Sequence, residues 1–176
     1  LCCTGNFDEV EELVEHILAH ARHFADQERA HLCLIKCLTG KGQLENAMDV
    51  GFEALAQVGE RFPQSVNTRV IFIDLVKTKF MLAGKSDISL STLPPMKNKY
   101  KLAAMKIISN IAPSMFYSRP DYFVLLLLRV VRLSLRFGSC NETANAFTVY
   151  GMFLGTGLGQ YKSGYRFGQL GLTIVE

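Results

Sequence analysis

Apolar residues recur every three or four positions along almost the whole chain, and this spacing constrains the fold more than any other feature of the sequence. In the stretch "GNFDEVEELVEHILAHA", the apolar residues Phe7, Val10, Val14, Ile17 and Ala21 fall on one face of a helix. Nowhere does the sequence alternate apolar and polar residues between hairpin signals, as a half-buried strand would. The sequence therefore predicts an all-α fold.

Breaks rich in glycine, proline and polar residues divide the chain into eight predicted helices. The first has a cap at Asn6 or Asp8. We expect "AGKSDISLSTLPPM" to be irregular, because Gly84, Pro94 and Pro95 disfavour a helix. The stretches "APSMFYSRP", "GSCN" and "GTGLG" are the later breaks. The remaining helices are predicted over 26–38, 44–58, 66–82, 99–111, 121–137, 142–153 and 161–175.

Three turns share a pattern that indicates repeated helix pairs: "GNFDEV", "GQLENA" and "GQYKSG". Each has a glycine that permits a tight or left-handed turn, then a bulky residue that fills the seam between helices, then a small or apolar residue three positions later that permits close helix approach. The first two glycines lie 37 residues apart, and the third follows 117 residues later, close to three such periods. The turn residues are Gly5, Phe7 and Val10; Gly42, Leu44 and Ala47; Gly159, Tyr161 and Gly164.

This pattern resembles the second half of a tetratricopeptide unit, in which neighbouring helix pairs stack because one pair cannot bury its own apolar face. We therefore expect antiparallel helix pairs stacked as a tetratricopeptide-like α–α superhelix. Helix pairs are predicted over 1–84 and 98–176, with an irregular linker at 85–97, all in one continuous module. Because the sequence opens with Leu1-Cys2-Cys3 and then a turn, we also expect it to be a piece of a longer protein.

The stretch "GTGLGQYKS" has the glycines, lysine and serine of a phosphate-binding loop but not their spacing. That motif needs a glycine directly before the lysine and another five positions earlier, whereas Lys162 follows Tyr161 and Thr156 stands at the earlier position. No predicted strand leads into it. The stretch is better interpreted as a turn between two helices.

Several longer motifs lie in the second half of the chain. They are "LPPM" at 93–96, "RPDYF" at 119–123, "SLRFG" at 134–138, "AFTVYG" at 146–151 and "GQYKSGYRFG" at 159–168. Together they resemble the tetratricopeptide-like helical region of multidomain signalling proteins that combine a Ser/Thr kinase-like domain, a STAND/AAA-type ATPase and often a GAF domain and a hybrid histidine kinase. The resemblance is strong over 93–172, fair over 5–60 and weak between.

This resemblance implies a non-catalytic interaction or regulatory module with no cofactor, located in the cytoplasm, whose partner is the adjacent ATPase or kinase domain of the same chain. The ATPase and kinase motifs themselves are absent from this sequence. Two alternatives stay open. One is a free-standing, peptide-binding repeat adaptor, and the other is a helical enzyme or ligand-binding domain with a pocket in the unmatched middle.

Charge is distributed unevenly, with five Lys/Arg against eleven Asp/Glu in residues 1–62 and fourteen against five in residues 63–176. Within an apolar helix, Arg129, Arg132 and Arg136 follow an i, i+3, i+7 spacing. They form a candidate surface for an anion or an acidic peptide, but the explanation we favour is pairing with acids on neighbouring helices, or placement on the water-facing side of an otherwise buried helix. The basic stretch "KNKYKLAAMK" carries no base-reading motif, so nucleic acid is not an expected partner.

Histidines and cysteines offer the remaining candidate ligands. His16, His20 and His23 lie opposite the apolar stripe, so we interpret them as solvated residues rather than metal ligands. Cys33 and Cys37 lie four apart in an apolar helix, which favours core packing. Five cysteines without a framework spacing indicate a reducing compartment. The most apolar run, "YFVLLLLRVVRLSLRF", contains three arginines and so is not a membrane span.

Overall fold

A computed structural model describes residues 7–21 and 23–175, and in this part of the chain it contains nine α-helices and no strand. A π-helical segment, Phe153–Gly157, continues the eighth helix. The all-α prediction is confirmed. The helices are α1 (Phe7–His20), α2 (Phe24–Gly40), α3 (Leu44–Gln57), α4 (Thr68–Leu82), α5 (Asp87–Ser91), α6 (Lys99–Ser118), α7 (Pro120–Phe137), α8 (Asn141–Met152) and α9 (Tyr161–Val175).

The structure corrects the prediction that "AGKSDISLSTLPPM" is irregular throughout, because α5 forms within it. Ser86 caps this short helix with its side-chain oxygen, which accepts a hydrogen bond from the Ser89 backbone N–H at 3.2 Å. Leu90 is 1% exposed and packs into a hydrophobic core. A local cap and one buried leucine are therefore enough for a helical turn between Gly84 and the prolines.

The predicted end of the helix over 99–111 is also wrong, because the corresponding helix, α6, runs to Ser118 with Pro113 inside it. A proline in a helix interior costs about 3 kcal/mol. The side chains of Ile111, Ser114 and Met115, spaced for one helix face, are all buried. The burial of this face offsets the cost of the proline and keeps the segment helical.

Unit 1 of the fold comprises the described residues up to Gln64 together with Lys106–Pro120. In it α1 packs on α2, and α2 packs on α3. Val10, Val14, Ala30 and Cys37 form a small buried cluster between α1 and α2. Ala47, at 0% exposure, faces the interior as its predicted role in the seam requires.

Unit 2 comprises Ser65–Met105 and the described residues from Asp121 onwards. Its closest helix pair is α8 with α9, and α5 also packs on α9. Its core joins α5, α7, α8, the π-helical segment and α9 through buried residues: Leu90, Leu127, Leu128, Val131, Phe147, Tyr150, Leu154, Phe167 and Leu170. The predicted linker at 85–97 lies within this unit. The stacking of helix pairs into a continuous superhelix stays a prediction.

Gly42 and Gly159 adopt the left-handed conformation that the repeated turns predict, with φ of +75° and +67°. At the end of α2, the N–H of Gly42 donates to Thr39 C=O, and the N–H of Gln43 donates to Leu38 C=O at 2.9 Å. This is a Schellman motif, which satisfies carbonyls left free at the helix end.

The bulky residues after these turns do not share one role. Tyr161 is 75% exposed, so the prediction that it fills the seam is wrong, whereas Leu44 is half-buried. In α9 glycines stand where α3 has Ala47 and Ala54, and at Gly164 and Gly171 they let the backbone of α9 approach the backbone of α8 closely. The first turn cannot be compared, because Gly5 lies outside the described residues and only the backbone of Phe7 is described.

The "LPPM" segment is held against the turn between α7 and α8. The N–H of Met96 donates to Ser139 C=O at 2.7 Å, and the N–H of Ser139 donates to Pro94 C=O at 2.8 Å. The Ser139 hydroxyl also donates to Leu93 C=O at 3.0 Å. This segment is therefore bound into unit 2 by backbone pairing rather than being a free linker.

Candidate interaction surface

The outward face of α4 carries a strip of apolar side chains that unit 2 does not bury. Phe72, Ile73, Val76 and Phe80 are 63%, 52%, 49% and 81% exposed. They occupy positions i, i+1, i+4 and i+8, and therefore share one side of the helix. We call these four residues the outer strip of α4. Grouped exposed apolar side chains of this kind are typical of interaction sites.

The opposite face of α4 is fixed in the fold. Leu75 and Leu82 pack against the core of unit 2. Thr78 is fully buried, and its hydroxyl donates a hydrogen bond to Asp74 C=O at 2.8 Å. The Asn67 side chain caps the helix by accepting from the Val70 N–H at 3.0 Å. These contacts set the orientation of α4 and hold the outer strip toward solvent.

An ion pair between α7 and α4 strengthens this orientation. Arg132 donates from Nη2 to Asp74 Oδ2 at 2.7 Å and from Nη1 to Asp74 C=O at 2.9 Å. Its Nη1 also donates to Thr78 Oγ1 at 3.1 Å, and both charged side chains are largely buried. An ion pair that makes several hydrogen bonds and is shielded from solvent is stronger than a solvent-exposed ion pair. Arg132 therefore pairs with an acid on a neighbouring helix, which is one of the roles the sequence allows.

The other arginines of the predicted stripe have different surroundings. The Arg136 guanidinium lies over the Phe137 ring, 5.3 Å from its centroid, and Arg129 is half-buried. Arg132 already donates three of its five possible hydrogen bonds to Asp74 and Thr78, so it has fewer left for an anion. The prediction of an anion surface at these residues stays a prediction, and Arg132 is its weakest member.

The stretch "GTGLGQYKS", which has the residue types of a phosphate-binding loop, connects two helical segments in the structure. The π-helical segment Phe153–Gly157 leads into it, and the N–H of Gln160 donates to Leu154 C=O at 2.8 Å. Lys162 lies exposed in the first turn of α9. The segment thus joins two packed helices, as the turn interpretation expects.

A groove of about 820 Å³ lies beside α1 and α2 in unit 1, and its mainly apolar lining also includes His16, His20, Asp26 and Arg29. The two histidine rings stack with centroids 4.4 Å apart, and His20 Nδ1 lies 2.8 Å from His16 C=O. In the described part of the chain, no three His, Cys, Asp or Glu side chains are grouped to hold a metal ion. Cys37 is fully buried and Cys33 half-buried, as core packing predicts.

Two titratable groups of unit 2 have raised pKa values because they are buried. Burial raises the pKa of the Tyr150 phenol to about 12, and the ring packs edge-on against Phe167 at 4.9 Å. Burial also raises the pKa of the Cys140 thiol. The Cys140 N–H donates to Thr143 Oγ1 at 2.9 Å, which caps α8. Both groups stay neutral near pH 7, and their contacts are those of packing and capping.

The outer strip of α4 is not among the surfaces predicted from the sequence, although the sequence carries a signal for it. In "TRVIFIDLVKTKFML" apolar residues occupy every side of the helix rather than one stripe. A helix of this composition is either enclosed by its own fold or offers one apolar side to a partner. The exposure of Phe72 and Phe80 shows that unit 2 does not enclose it.

Comparison of the chain with protein-family models, with curated proteins and with solved structures finds no match. Within the described residues, no helix is long and apolar enough to cross a membrane.

Proposed function

We propose that this chain is a non-catalytic helical interaction module that regulates or connects the catalytic domains of a signalling ATPase or kinase. The outer strip of α4 is the single observation that carries the proposal. Exposed phenylalanines are costly in water, and a partner that covers them gains free energy from the burial of their apolar surface. Because Leu75 and Arg132 hold the other side of α4 in unit 2, the strip is offered at a fixed position.

The class of partner in this proposal rests on the sequence motifs "LPPM", "SLRFG" and "GQYKSGYRFG", which resemble the helical region beside STAND-type ATPases. Two of these motifs have structural roles that fit a scaffold. "LPPM" pairs with Ser139, and "GQYKSGYRFG" forms the first half of α9 against α8. The partner we propose is an ATPase or kinase domain of the same protein.

Photo-crosslinking in cells tests this proposal. A photoreactive phenylalanine analogue replaces Phe80 in the natural full-length protein, and crosslinked peptides are identified by mass spectrometry. We expect peptides from an ATPase or kinase domain. The same analogue at Tyr117, which is 79% exposed against 81% for Phe80, is the control and should not give them.

Absence of a specific crosslink at position 80 would contradict the proposal. Crosslinks only to separate proteins that lack both domains would replace the proposed module with a free-standing adaptor.

A further inference from the structure

We propose that the outer strip of α4 binds an amphipathic helix whose apolar stripe is flanked by acidic residues. This inference rests on the proposed interaction function and deepens it by naming the chemistry of the partner. It follows from the arrangement of apolar and basic residues around α4, from the fixed position of that helix, and from the charge of unit 2.

The basic residues of α4 frame the outer strip. At 100° per residue, Phe72, Val76, Phe80 and Ile73 span one side of the helix. Lys79 lies at one edge of this span and Lys77 at the other. Arg69 lies on the same side, one turn before Phe72 and Ile73. The strip is therefore an apolar seam with a cation along each long edge.

The cations along the edges of the outer strip remain largely accessible to a partner. The one acidic residue of the helix, Asp74, points to the inner side and is held by Arg132 at 2.7 Å. Lys77 Nζ lies 3.9 Å from Asp74 Oδ1, and the Lys77 side chain remains 64% exposed. Lys79 donates one hydrogen bond to Gln160 Oε1 at 3.1 Å, and an ammonium group has three donors. Both lysines can therefore reach acidic groups of a partner.

The charge of unit 2 extends the same preference beyond α4. Its sequence holds twelve Lys/Arg and five Asp/Glu, a net charge of +7, whereas unit 1 holds seven and eleven. A field of this sign attracts an acidic partner and speeds its association. Apolar contact with Phe72 and Phe80 supplies affinity, and the flanking charges select the partner and its orientation.

A helical partner fits this surface better than an extended peptide or a partner with a flat surface. From Phe72 to Phe80 the strip is about 12 Å long, which corresponds to about two helical turns of a partner. Apolar seams edged by opposite charges are the way two helices recognise each other in a groove or a coiled coil. An anionic membrane shares the required charge but presents no paired acidic edges, so it serves as the competing outcome of the test.

The test uses two designed helical peptides and fluorescence anisotropy. Both carry the same leucine stripe, which is flanked by glutamates in one peptide and by lysines in the other. We expect the acidic peptide to bind at least tenfold more tightly at low salt, with an advantage that shrinks as salt screens the charges. Phe72→Ser/Phe80→Ser should abolish binding, and Lys77→Glu/Lys79→Glu should reverse the preference toward the basic peptide.

A matched pair, Lys97→Glu/Lys99→Glu, changes the charge of unit 2 equally but lies outside α4, and should leave the preference for the acidic peptide in place. Circular dichroism checks that every variant is folded. Equal binding of the two peptides would overturn the inference. Co-sedimentation with phosphatidylserine vesicles that depends on Phe72 and Phe80, without binding of the acidic peptide, would overturn it in favour of a membrane.

The photo-crosslinking result separates this inference from the proposed function. A specific crosslink at position 80 to an ATPase or kinase domain, with no preference for the acidic peptide, leaves the function standing and removes the acidic helix. A preference for the acidic peptide without that crosslink supports the inferred binding of an acidic helix and contradicts the proposal that the partner is an ATPase or kinase domain.

Discussion

Helices α3 and α9 follow the same turn pattern but solve the problem of close packing in different ways. In α3 the small residues at steps of three and four are Ala47, Gly51 and Ala54, and all three are buried. In α9 the corresponding residues are all glycines. A side chain atom added at Gly51 would meet the side chain of Ile111, whereas one added at Gly164 would meet the backbone of Gly151 and Gly155.

The two seams differ in whether the atoms that an added methyl group would meet can move. A methyl group at Gly51 competes with another side chain, which can change rotamer or be replaced. In the seam of α8 and α9, the Gly164 C=O would lie 2.6 Å from a Cβ at Gly151, and the Gly168 N would lie 3.0 Å away. Backbone atoms of two helices cannot move apart locally, so a methyl group is poorly tolerated at Gly151 and Gly164, whereas a Cβ at Gly168 would meet no atom within 4 Å. The seam of α8 and α9 is therefore the less adjustable of the two at Gly151 and Gly164.

The largest effect is expected from Gly151→Ala in α8. Because its new methyl group meets the backbone of α9, we expect a loss of about 3 kcal/mol in the free energy of unfolding. Urea denaturation measures it. Gly168→Ala in α9 is the control, since its Cβ has nothing within 4 Å, and it should stabilise the protein by up to about 1 kcal/mol. Equally small changes in the free energy of unfolding at both positions would contradict the idea that backbone contacts make the seam of α8 and α9 less tolerant than the seam at α3.

A smaller loss is expected from Ala47→Leu in α3. The residue is 0% exposed, so a leucine overpacks the seam and should cost about 2 kcal/mol. Ala56→Leu, on the exposed side of the same helix, should change the free energy of unfolding by less than about 0.5 kcal/mol. An unchanged thermal midpoint for Ala47→Leu would show that the small residue after the Gly42 turn is not needed for packing.

Gly51→Ala tests the comparison further, because the Ile111 side chain that the new methyl group would meet can itself be substituted. Its Cβ would fall on Ile111 Cγ2, with Ile111 Cδ1 at 3.1 Å, and we expect a loss of about 1 kcal/mol. Ile111→Leu removes the β-branch that carries Cγ2. A double-mutant cycle with both substitutions should therefore recover part of the loss, giving a coupling of about 0.5 kcal/mol or more. Strict additivity of the two substitutions would contradict the side-chain nature of this contact.

The helices of this fold were readable from the sequence where a local signal decided them. The glycine turn at Gly42 acts on the helix only two residues later, and α3 begins at Leu44 as predicted. Helix α6 passes Pro113 because Ile111 and Met115 are buried by distant segments, which no local pattern reveals. Tertiary packing there outweighs the local preference for a break.

The candidate surface was less readable for the same reason. The spacing of Arg129, Arg132 and Arg136 predicted a shared face, but the partner of Arg132 is Asp74, 58 residues away. Whether an apolar residue of α4 faces the core or water depends equally on its neighbours in space. The sequence shows that Phe72 and Phe80 share a side of the helix, and only the fold shows that this side is exposed.

The smallest effect is expected at the bulky residues that follow the two glycine turns. Leu44 begins α3 and is half-buried, whereas Tyr161 begins α9 and is 75% exposed. Leu44→Ala should therefore cost about 1 kcal/mol through lost apolar burial, and Tyr161→Ala less than about 0.5 kcal/mol. Thermal and urea unfolding of the two variants measure the difference. A loss of more than about 1 kcal/mol for Tyr161→Ala would mean that this tyrosine fills a seam after all, and that the two turns are equivalent in packing as well as in sequence. The expected asymmetry would instead leave Tyr161 available beside Lys79, which contacts its neighbour Gln160 at the edge of the outer strip.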